Sequence, residues 1–216
     1  MKHLISLSLL IAMAAWAQTP SALESDPSGW VDIMPGPDLK GWTRVAFLTK
    51  EPLNPESQWK LQAPGLLVCE GDKGHEFFRY DKELANFIFH AEWRFIPIPN
   101  GKGYNSGVIA RASADGTIWH QAQCGDASGG FLFGDTPVKG KTQRVFLRDQ
   151  VKENRVKPAG EWNVYEIRAE GPTMTLWVNG DITGVWRDLE VLKGYIGLEA
   201  EGYRIEFRNL KLKILP

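Results

Sequence analysis

The sequence predicts an all-β protein, and among all-β architectures it favours a jelly-roll sandwich of two antiparallel sheets. Short strand-like runs such as QWKLQ, LLVCE and TMTLWV are separated by turns rich in Gly, Pro, Asn and Asp. No stretch of the sequence carries a convincing helical stripe of apolar residues. The runs at 86–96 and 203–214 are long enough to curve, so that one sheet can present a polar concave face over a packed core.

The N-terminal residues predict a segment that is removed from the mature chain. Residues 1–17 begin with MKH, continue with the apolar run LISLSLLIAMAAWA and place Ala15 and Ala17 before the expected cut, which is typical of a signal peptide. The run is short for a membrane span, no second one follows, and no Cys lies near the cut to accept a lipid. We therefore expect export to the periplasm or the extracellular space, with a mature chain starting at Gln18.

The remaining residues predict a single domain. Residues 18–28 are rich in Ser, Pro and acidic residues and predict a flexible lead-in, and residues 29–216 are the length of one domain. The whole chain has 25 Lys and Arg against 26 Asp and Glu, a formal net charge of −1. That balance provides no basic surface for nucleic acid or for an anionic membrane. The oligomeric state is not indicated by the sequence.

The cysteines leave two alternatives open. Cys69 and Cys124 could form a disulfide in an oxidising compartment if the fold brings them close, or both could be buried free thiols. Neither lies in a C-x-x-C string or beside a paired His, so a structural zinc site is not expected.

Two local features carry specific structural predictions. LWVNGDIT places Asn179 and Gly180 between two strand-like runs, which predicts a tight β-hairpin. Residues 143–156, QRVFLRDQVKENRV, fit neither the strand nor the helix period. They predict a long mobile connection with about one turn of helix, and long loops of this kind often carry function.

Several enzyme classes are excluded by missing motifs. GDTPVKGKT, residues 134–142, resembles a phosphate-binding loop, but its glycine spacing is one residue too long and no helix pattern follows. The sequence contains no G-x-S-x-G elbow, no H-E-x-x-H and no E-x-D-x-x-E string. Serine hydrolases, zincins and retaining β-glucanases of the usual jelly-roll type are therefore not indicated.

Residues 86–95, NFIFHAEWRF, predict a strand with two different faces. Successive strand side chains point to opposite faces, so the aromatic positions share one face and the polar positions share the other. The aromatic face is suited to the core. The other face carries His90, Glu92 and Arg94, and it predicts either the solvated side of a sheet or the wall of a polar groove.

Several segments, taken in order, resemble the 3-keto-disaccharide hydrolase domain family over Gly29 to Leu215. The resemblance implies a concanavalin A-like jelly roll, export in bacteria, and action on sugars whose C3 hydroxyl has been oxidised to a ketone. The segments are GWVDIMPGPDLKGW, ANFIFHAEWRF, YNSGVIAR, WHQAQCG with GGFLFGD, KPAGEWNVYEIRAEGPTMTLWVNG and GYIGLEAEGYRIEFRNLKLKIL.

One position departs from the family pattern. Where many relatives carry an acidic residue in a Tyr-Glu-x-Gln string, this chain has Gln121 before Ala122 and Gln123. An amide in place of a carboxylate puts an acid–base or metal-binding role for that position in doubt. A lectin-like carbohydrate-binding module without turnover is therefore the alternative to an enzyme.

The implied substrate determines which groups a catalyst needs. A 3-ketone acidifies the proton on C2, and the substituent on C1 lies β to the carbonyl, so the aglycone can leave by elimination after deprotonation. Water then adds to the enone, which gives net hydrolysis. The protein must supply a base, a group that stabilises the enolate oxygen and a proton donor for the leaving oxygen.

Strand alternation groups the polar residues that could supply this chemistry. In YNSGVIAR, Asn105 and Arg111 share one face, and in WHQAQCG, Trp119, Gln121 and Gln123 share one face. We expect these faces to meet Glu92 and Arg94 on one concave sheet, forming a cluster of carboxylate, guanidinium and amide groups.

In GLEAEG, Glu199 and Glu201 share a face opposite Leu198. We expect Glu92 or Glu199 to be the general base and Arg111 to stabilise the enolate oxygen. The residues expected to bind substrate are Arg94, Asn105, Trp119, Gln121, Gln123 and Glu201.

The remaining expectations concern two histidines, Trp119 and cofactors. His90 and His120 are interpreted as structural histidines, and Trp119 at strand spacing could equally belong to the core. No redox cofactor is expected, because a separate dehydrogenase would form the ketone. A divalent cation on the carboxylates is compatible with their spacing but is not required by it.

Overall fold

A computed structural model describes residues 18–125 and 129–216. It contains two antiparallel β-sheets packed face to face, as the sequence predicts, and the jelly-roll fold class is confirmed. The predicted signal peptide, residues 1–17, lies outside the described residues.

The first sheet, called sheet A, has β6 and β15 at its centre, and β1 (Trp30–Asp32) pairs with β15 off the main path. The strands of sheet A are, in spatial order, β13 (Asp181–Trp186), β12 (Thr173–Val178), β11 (Asn163–Glu170), β6 (Phe87–Phe95), β15 (Ile205–Ile214), β4 (Leu66–Cys69) and β3 (Trp59–Ala63).

The second sheet, called sheet B, has β7 and β14 near its centre. Its strands are, in spatial order, β10 (Lys141–Phe146), β9 (Leu132–Val138), β8 (Trp119–Gly125), β7 (Asn105–Ala112), β14 (Tyr195–Ala200), β5 (Glu76–Tyr80) and β2 (Trp42–Ala46).

Aromatic residues fill much of the space between the sheets. Trp59 stacks on Phe78 with ring centroids 4.7 Å apart, and Trp93 meets Tyr165 edge to face at 5.2 Å. The alternation within 86–95 is as expected, because its aromatic face lies entirely in this core. Burying large rings of this kind is the main apolar contribution to stability.

A smaller apolar cluster lies on the other side of sheet B, away from sheet A. It is formed by Phe47, Phe77, Ile109, Ala112 and Trp119. The face of sheet B that carries this cluster is called the groove face. The apolar cluster covers one part of the groove face.

The β7–β14 pairing contains a bulge at Arg111. Two residues of β7 lie opposite one residue of β14 between the pairs Ala112–Tyr195 and Ile109–Gly197. Arg111 has a positive φ of 45°, and the extra residue shifts the alternation, so Ile109 and Ala112 both lie on the groove face. The prediction from alternation that Arg111 shares a face with Asn105 is therefore wrong.

The lead-in, residues 18–28, contains a short helix, α1 (Ala22–Ser25), where the sequence predicts flexible chain. The helix has a capping box at Ser21, and the Glu166 side chain of β11 accepts hydrogen bonds from its first two backbone N–H groups. The Trp177 indole also donates to the backbone carbonyl of Thr19. The lead-in thus makes defined contacts with the outer face of sheet A.

Local predictions have mixed outcomes. Asn179 and Gly180 form the β12–β13 hairpin turn, with φ of 45° and 107° as a primed turn requires. The segment 143–156 contains the expected single helical turn, at Arg148–Gln150, but its first residues belong to the edge strand β10. The alternation of β10 is obscured because nearly every side chain on this edge strand is exposed.

Cys69 and Cys124 are buried free thiols, which settles the alternative left open by their spacing. Burial raises the pKa of the Cys124 thiol well above its usual value, so it stays protonated. Within the described ranges, no helix has the length and apolar character that a membrane crossing requires.

Candidate functional site

A histidine and two glutamates converge on the groove face. His75 Nε2 lies 2.7 Å from Glu199 Oε1 and 3.9 Å from Glu201 Oε2. The Glu199 side chain is buried, at 3% exposure, whereas the Glu201 side chain is 40% exposed. One carboxylate is therefore enclosed, and the other can reach a ligand in the groove.

Strand pairing explains why these three residues meet. On β14, Leu198 and Ala200 point into the core, so Glu199 and Glu201 point to the groove face. The neighbouring strand β5 pairs with β14 from the Gly197–Arg79 pair to the Ala200–Glu76 pair. His75 immediately precedes β5 and so lies beside the two glutamates.

Amide side chains from β7 and β8 connect to the two glutamates. Gln121 Nε2 donates to Glu199 Oε2 at 2.7 Å, Asn105 Nδ2 donates to Glu201, and Gln123 Nε2 donates to Asn105 Oδ1. Among the described residues, Gln121 Oε1 is buried without a hydrogen-bond partner. The amides orient both carboxylates and leave one unsatisfied acceptor next to the cluster.

Gly107 makes room for this arrangement. A Cβ on Gly107 would lie 2.1 Å from the side-chain carbonyl carbon of Gln121, so only glycine allows the amide to pack across β7. The glycine of the N-S-G-x-x-x-R string thus has a steric role in positioning Gln121 against Glu199.

The groups of the cluster shift one another's protonation. Burial and the neighbouring Glu199 carboxylate raise the pKa of Glu201, and they outweigh the opposing effects of His75 and Asn105. Burial lowers the pKa of His75, but the hydrogen bond to Glu199 and the charges of both glutamates outweigh it, so the His75 pKa is raised. A carboxylate and an imidazole 3.9 Å apart, both with a pKa above the usual value, are a candidate acid–base pair by position and environment.

The cluster lies in a groove of about 430 Å³ on the groove face. The polar part of the groove is lined by His75, Asn105, Gln123, Glu199 and Glu201. The remaining walls include three phenylalanines and two arginines, namely Phe131, Phe133, Phe146, Arg144 and Arg148. The groove therefore joins a polar, proton-exchanging part to an aromatic part.

The structure brings together five of the residues expected from sequence, namely Asn105, Gln121, Gln123, Glu199 and Glu201. Gln121 is buried and its amide is committed to Glu199, so it orients the carboxylate, and the expectation that it holds a sugar hydroxyl directly is not supported by this geometry.

Trp119 borders the groove but has no open ring face. It is 1% exposed, the Arg144 guanidinium lies over its ring at 5.0 Å, and Phe47 and Phe133 meet it edge to face. Stacking of a sugar on Trp119, expected from sequence, would require Arg144 to move.

Glu92 and Arg94 are not on sheet B, which corrects the expectation that they join the cluster. They lie on β6 in sheet A, on the face away from the core. Glu92 accepts hydrogen bonds from Arg208 and Asn209, both at 2.6 Å, and Arg94 pairs with Glu206. Alternation identified their face correctly but could not show to which sheet that face belongs.

The expected role of Arg111 is also corrected. Its side chain is fully buried, and its guanidinium donates to the backbone carbonyls of Ala85, Gly171 and Val191. The bulge in β7 turns this side chain away from the groove face. Arg111 joins three loops and cannot reach an enolate in the groove.

His90 and His120 lie outside the groove, in agreement with their interpretation as structural residues. His90 Nδ1 pairs with Glu166 at 2.9 Å on sheet A. His120 bonds Thr136 at 2.9 Å, and burial lowers its pKa to about 4, so it is neutral.

Sequence reasoning missed His75 and the aromatic wall. His75 follows a Gly-rich turn, and Glu199 lies 124 residues later in the chain. No sequence motif spans such a distance. The one usable signal for the wall was the unassigned segment 143–156, since long irregular segments often contribute to sites.

His75, Glu199 and Glu201 could also hold a divalent cation. One ligand atom from each lies within 4.8 Å of the others, and an imidazole with two carboxylates is a donor set that transition metals accept. The unpartnered Gln121 Oε1 nearby adds a further oxygen donor. The chemistry of these residues therefore fits a cation.

The fold is a concanavalin A-like jelly roll of two antiparallel sheets, with carboxylates, an imidazole and amides in a groove on one sheet. The family model described as the 3-keto-alpha-glucoside-1,2-lyase-like domain matches residues 29–213. The chain belongs to this family, and the resemblance stated from sequence is confirmed.

Solved structures share the fold at low sequence identity. The "putative glycosyl hydrolase" of Parabacteroides distasonis ATCC 8503 aligns with a TM-score of 0.62 and 18% identity, over 92% of this chain and 100% of that one. The carbohydrate-binding module CBM66 from Bacillus subtilis aligns with a TM-score of 0.57 and 16% identity, over 79% of this chain and 94% of that one.

The β-glucanase of Bacillus licheniformis aligns with a TM-score of 0.51 and 10% identity, over 82% of this chain and 94% of that one. A search of curated proteins finds no significant sequence match. At these identities the structural likeness establishes the fold.

Proposed function

We propose that this protein cleaves 3-keto-glycosides in the groove of sheet B, by removal of the C2 proton, elimination of the aglycone and addition of water. The observation that carries the proposal is the convergence of half-exposed Glu201 with His75 and Glu199 in the groove, where burial and the Glu199 carboxylate also raise the pKa of Glu201. Membership of the 3-keto-alpha-glucoside-1,2-lyase-like family supports the substrate class.

Glu201 is the best candidate for the base. Its carboxylate reaches the groove, and its raised pKa makes it a stronger proton acceptor than an ordinary surface glutamate. Glu199 is enclosed by His75 and Gln121 and serves better to orient them. This assignment replaces Glu92, which lies on the other sheet, and it moves the role of Glu199 from base to positioning residue.

The reaction can be written with every proton accounted for. Glu201 takes the C2 proton, the electrons of that bond form the enolate at C3, and the C1–O bond then breaks to leave an enone. His75, whose raised pKa favours the imidazolium, gives a proton to the departing oxygen. Water then adds its oxygen to C1, His75 takes one water proton, and Glu201 returns a proton to C2.

Stabilisation of the enolate oxygen must come from groups other than Arg111. The Asn105 amide lines the groove and donates one of its two hydrogens to Glu201, which leaves the other for a ligand, and the His75 imidazolium is a nearby positive charge. A divalent cation on His75, Glu199 and Glu201 would supply a Lewis acid in place of the imidazolium, and it would occupy the lone pairs that the proton transfers above use.

A binding module without turnover is the second candidate. It is favoured by the amide at Gln121 and by the fold likeness to the CBM66 module. The grouping of Glu201 with His75 and Glu199, with the pKa of Glu201 raised, argues against it, because a site that only binds hydroxyls needs no such acid–base group.

One experiment separates the two candidates. The protein is incubated in heavy water with a 3-keto disaccharide and, separately, with the unoxidised disaccharide. We expect cleavage of the 3-keto sugar only, with deuterium at C2 of recovered substrate or product. Binding without cleavage would support the module, and cleavage without label at C2 would exclude elimination. An enone that accumulates would show that the reaction stops as a lyase step.

A further inference from the structure

We propose that the aromatic part of the groove is a subsite for the aglycone and that it selects glycosides of aromatic alcohols, such as phenols. This inference rests on the proposed function, because it concerns the leaving group of the same reaction. Four observations on side chains that line the groove carry it.

The first observation is the exposed ring of Phe146. Phe146 is 59% exposed at the end of the edge strand β10, and it stacks on Phe133 with centroids 5.4 Å apart and ring planes 9° from parallel. Because the two rings are stacked, Phe133 covers one side of Phe146, and the exposed part of the Phe146 ring presents apolar surface at the groove. Leaving so much of a phenylalanine in water forgoes burial free energy, which a bound apolar group would recover.

The second observation is Leu48, which lines the same groove and is 50% exposed. Its φ is +52°, a left-handed conformation that is unfavourable for a bulky non-glycine side chain. The fold thus tolerates backbone strain at a residue that presents hydrocarbon to the groove, a combination associated with ligand contact.

The third observation is the continuity of the aromatic wall with the polar cluster. Phe133 meets Phe131 at 5.4 Å and Trp119 at 5.0 Å, so the rings form one connected wall. This wall and Glu201 belong to the same groove of about 430 Å³. A glycoside whose sugar occupies the polar part would therefore have its aglycone beside the rings.

The fourth observation is the charge beside the rings. Arg144 is held by Asp135 and lies over the Trp119 ring, and Arg148 lies over Phe131 at 5.3 Å. Both guanidinium groups line the groove. They can donate to an oxygen substituent on the aromatic ring of a ligand.

The exposed apolar side chains at this part of the groove, Phe146 and Leu48, favour an aromatic aglycone over a second sugar. Phenylalanine and leucine have no polar atoms to meet the hydroxyls at the rim of a sugar ring, whereas tyrosine and tryptophan do. A flat aromatic ring can pack on the exposed Phe146 ring without leaving hydroxyls unsatisfied. The wall is therefore better matched to an aromatic group.

The test compares 3-keto derivatives of phenyl glucoside and methyl glucoside of the same anomeric configuration, with the wild-type protein, Phe146→Ala and the control Ile182→Ala. Ile182 is an equally exposed apolar residue, at 52%, on β13 of the other sheet. Because Phe146 is exposed, its truncation leaves the core intact, and a thermal melt checks this.

We expect Phe146→Ala to lower kcat/KM about fivefold to tenfold for the phenyl substrate and less than about twofold for the methyl substrate. The intrinsic difference in leaving ability cancels when each variant is compared with wild type on the same substrate. Ile182→Ala should change neither value. Equal losses on both substrates, or no loss on either, would overturn the subsite.

Failure of the proposed function gives a different result. In that case wild-type protein cleaves neither 3-keto substrate, and calorimetry with unoxidised phenyl and methyl glucosides tests the subsite by itself. Tighter binding of the phenyl compound that is lost in Phe146→Ala supports the subsite. Equal binding of both glucosides excludes it.

Discussion

His75 Nε2 lies 2.7 Å from Glu199 Oε1, although the two residues are separated by 124 positions in the chain. This contact exists because β5 and β14 are antiparallel neighbours in sheet B. It holds the imidazole next to Glu201, the one glutamate of the cluster that is open to the groove. Glu92 and Arg111 lie outside this cluster.

Glu201→Gln should abolish cleavage of 3-keto-glycosides, with a loss of at least about a thousandfold in kcat, because an amide cannot accept the C2 proton. The similar size of the side chain should preserve the fold. Deuterium uptake at C2 in heavy water should disappear together with cleavage. Loss of cleavage with continued label uptake would instead assign Glu201 to a later step.

Glu92→Gln should leave cleavage unchanged and should lower the free energy of unfolding at pH 7 by about 1–3 kcal/mol, the usual range for hydrogen bonds to a charged group. Burial disfavours the Glu92 charge, but the neighbouring His90 and hydrogen bonds from Asn209 and Arg208 outweigh it and lower the pKa of Glu92 to about 2.

The pH dependence of this effect has a definite sign. A lowered folded-state pKa contributes stability above the unfolded value of 4.5, and that contribution is lost as pH falls towards 2. The difference between Glu92→Gln and wild type in urea denaturation should therefore shrink from pH 7 to pH 3. A loss of turnover in Glu92→Gln would return the base assignment to this residue.

Arg111→Lys should lower the free energy of unfolding by about 2–4 kcal/mol and leave turnover per folded molecule unchanged. The guanidinium donates to carbonyls of Ala85, Gly171 and Val191, and one ammonium group cannot reach all three. Chemical denaturation and active-site-normalised rates check this. A selective loss of turnover in fully folded protein would contradict the structural assignment.

Gln121→Glu should keep turnover within about tenfold at its own optimum, since the position orients Glu199 and does not contact the reacting atoms. A third carboxylate beside Glu199 should raise the pKa of the neighbouring acids. The acidic limb of the pH–rate profile should therefore move to higher pH. A gain of several orders of magnitude would show that this chain had lost a catalytic acid.

The mature protein should begin at Gln18 when the chain is expressed with export, because Ala15 and Ala17 match the small residues before a signal-peptide cut. Mass spectrometry of the exported chain measures this directly. Exported protein that retains Met1 would contradict it.

The sequence by itself determined the fold class and much of the local structure. The alternation in residues 86–95 placed its aromatic face in the core, and Asn179–Gly180 formed the hairpin turn, because both depend on backbone geometry within a few residues. The same local rule placed Gln121 and Gln123 on one face of β8, and Glu199 and Glu201 on one face of β14.

Only the tertiary structure decided which of these faces meet. Strand alternation has a period of two in either sheet, so the polar face of β6, with Glu92, looked the same in sequence as the polar face of β14. Strand order, which depends on long-range pairing, put Glu92 in sheet A and Glu199 in sheet B. A single bulge removed Arg111 from the groove face, and His75 joined the site only because β5 neighbours β14.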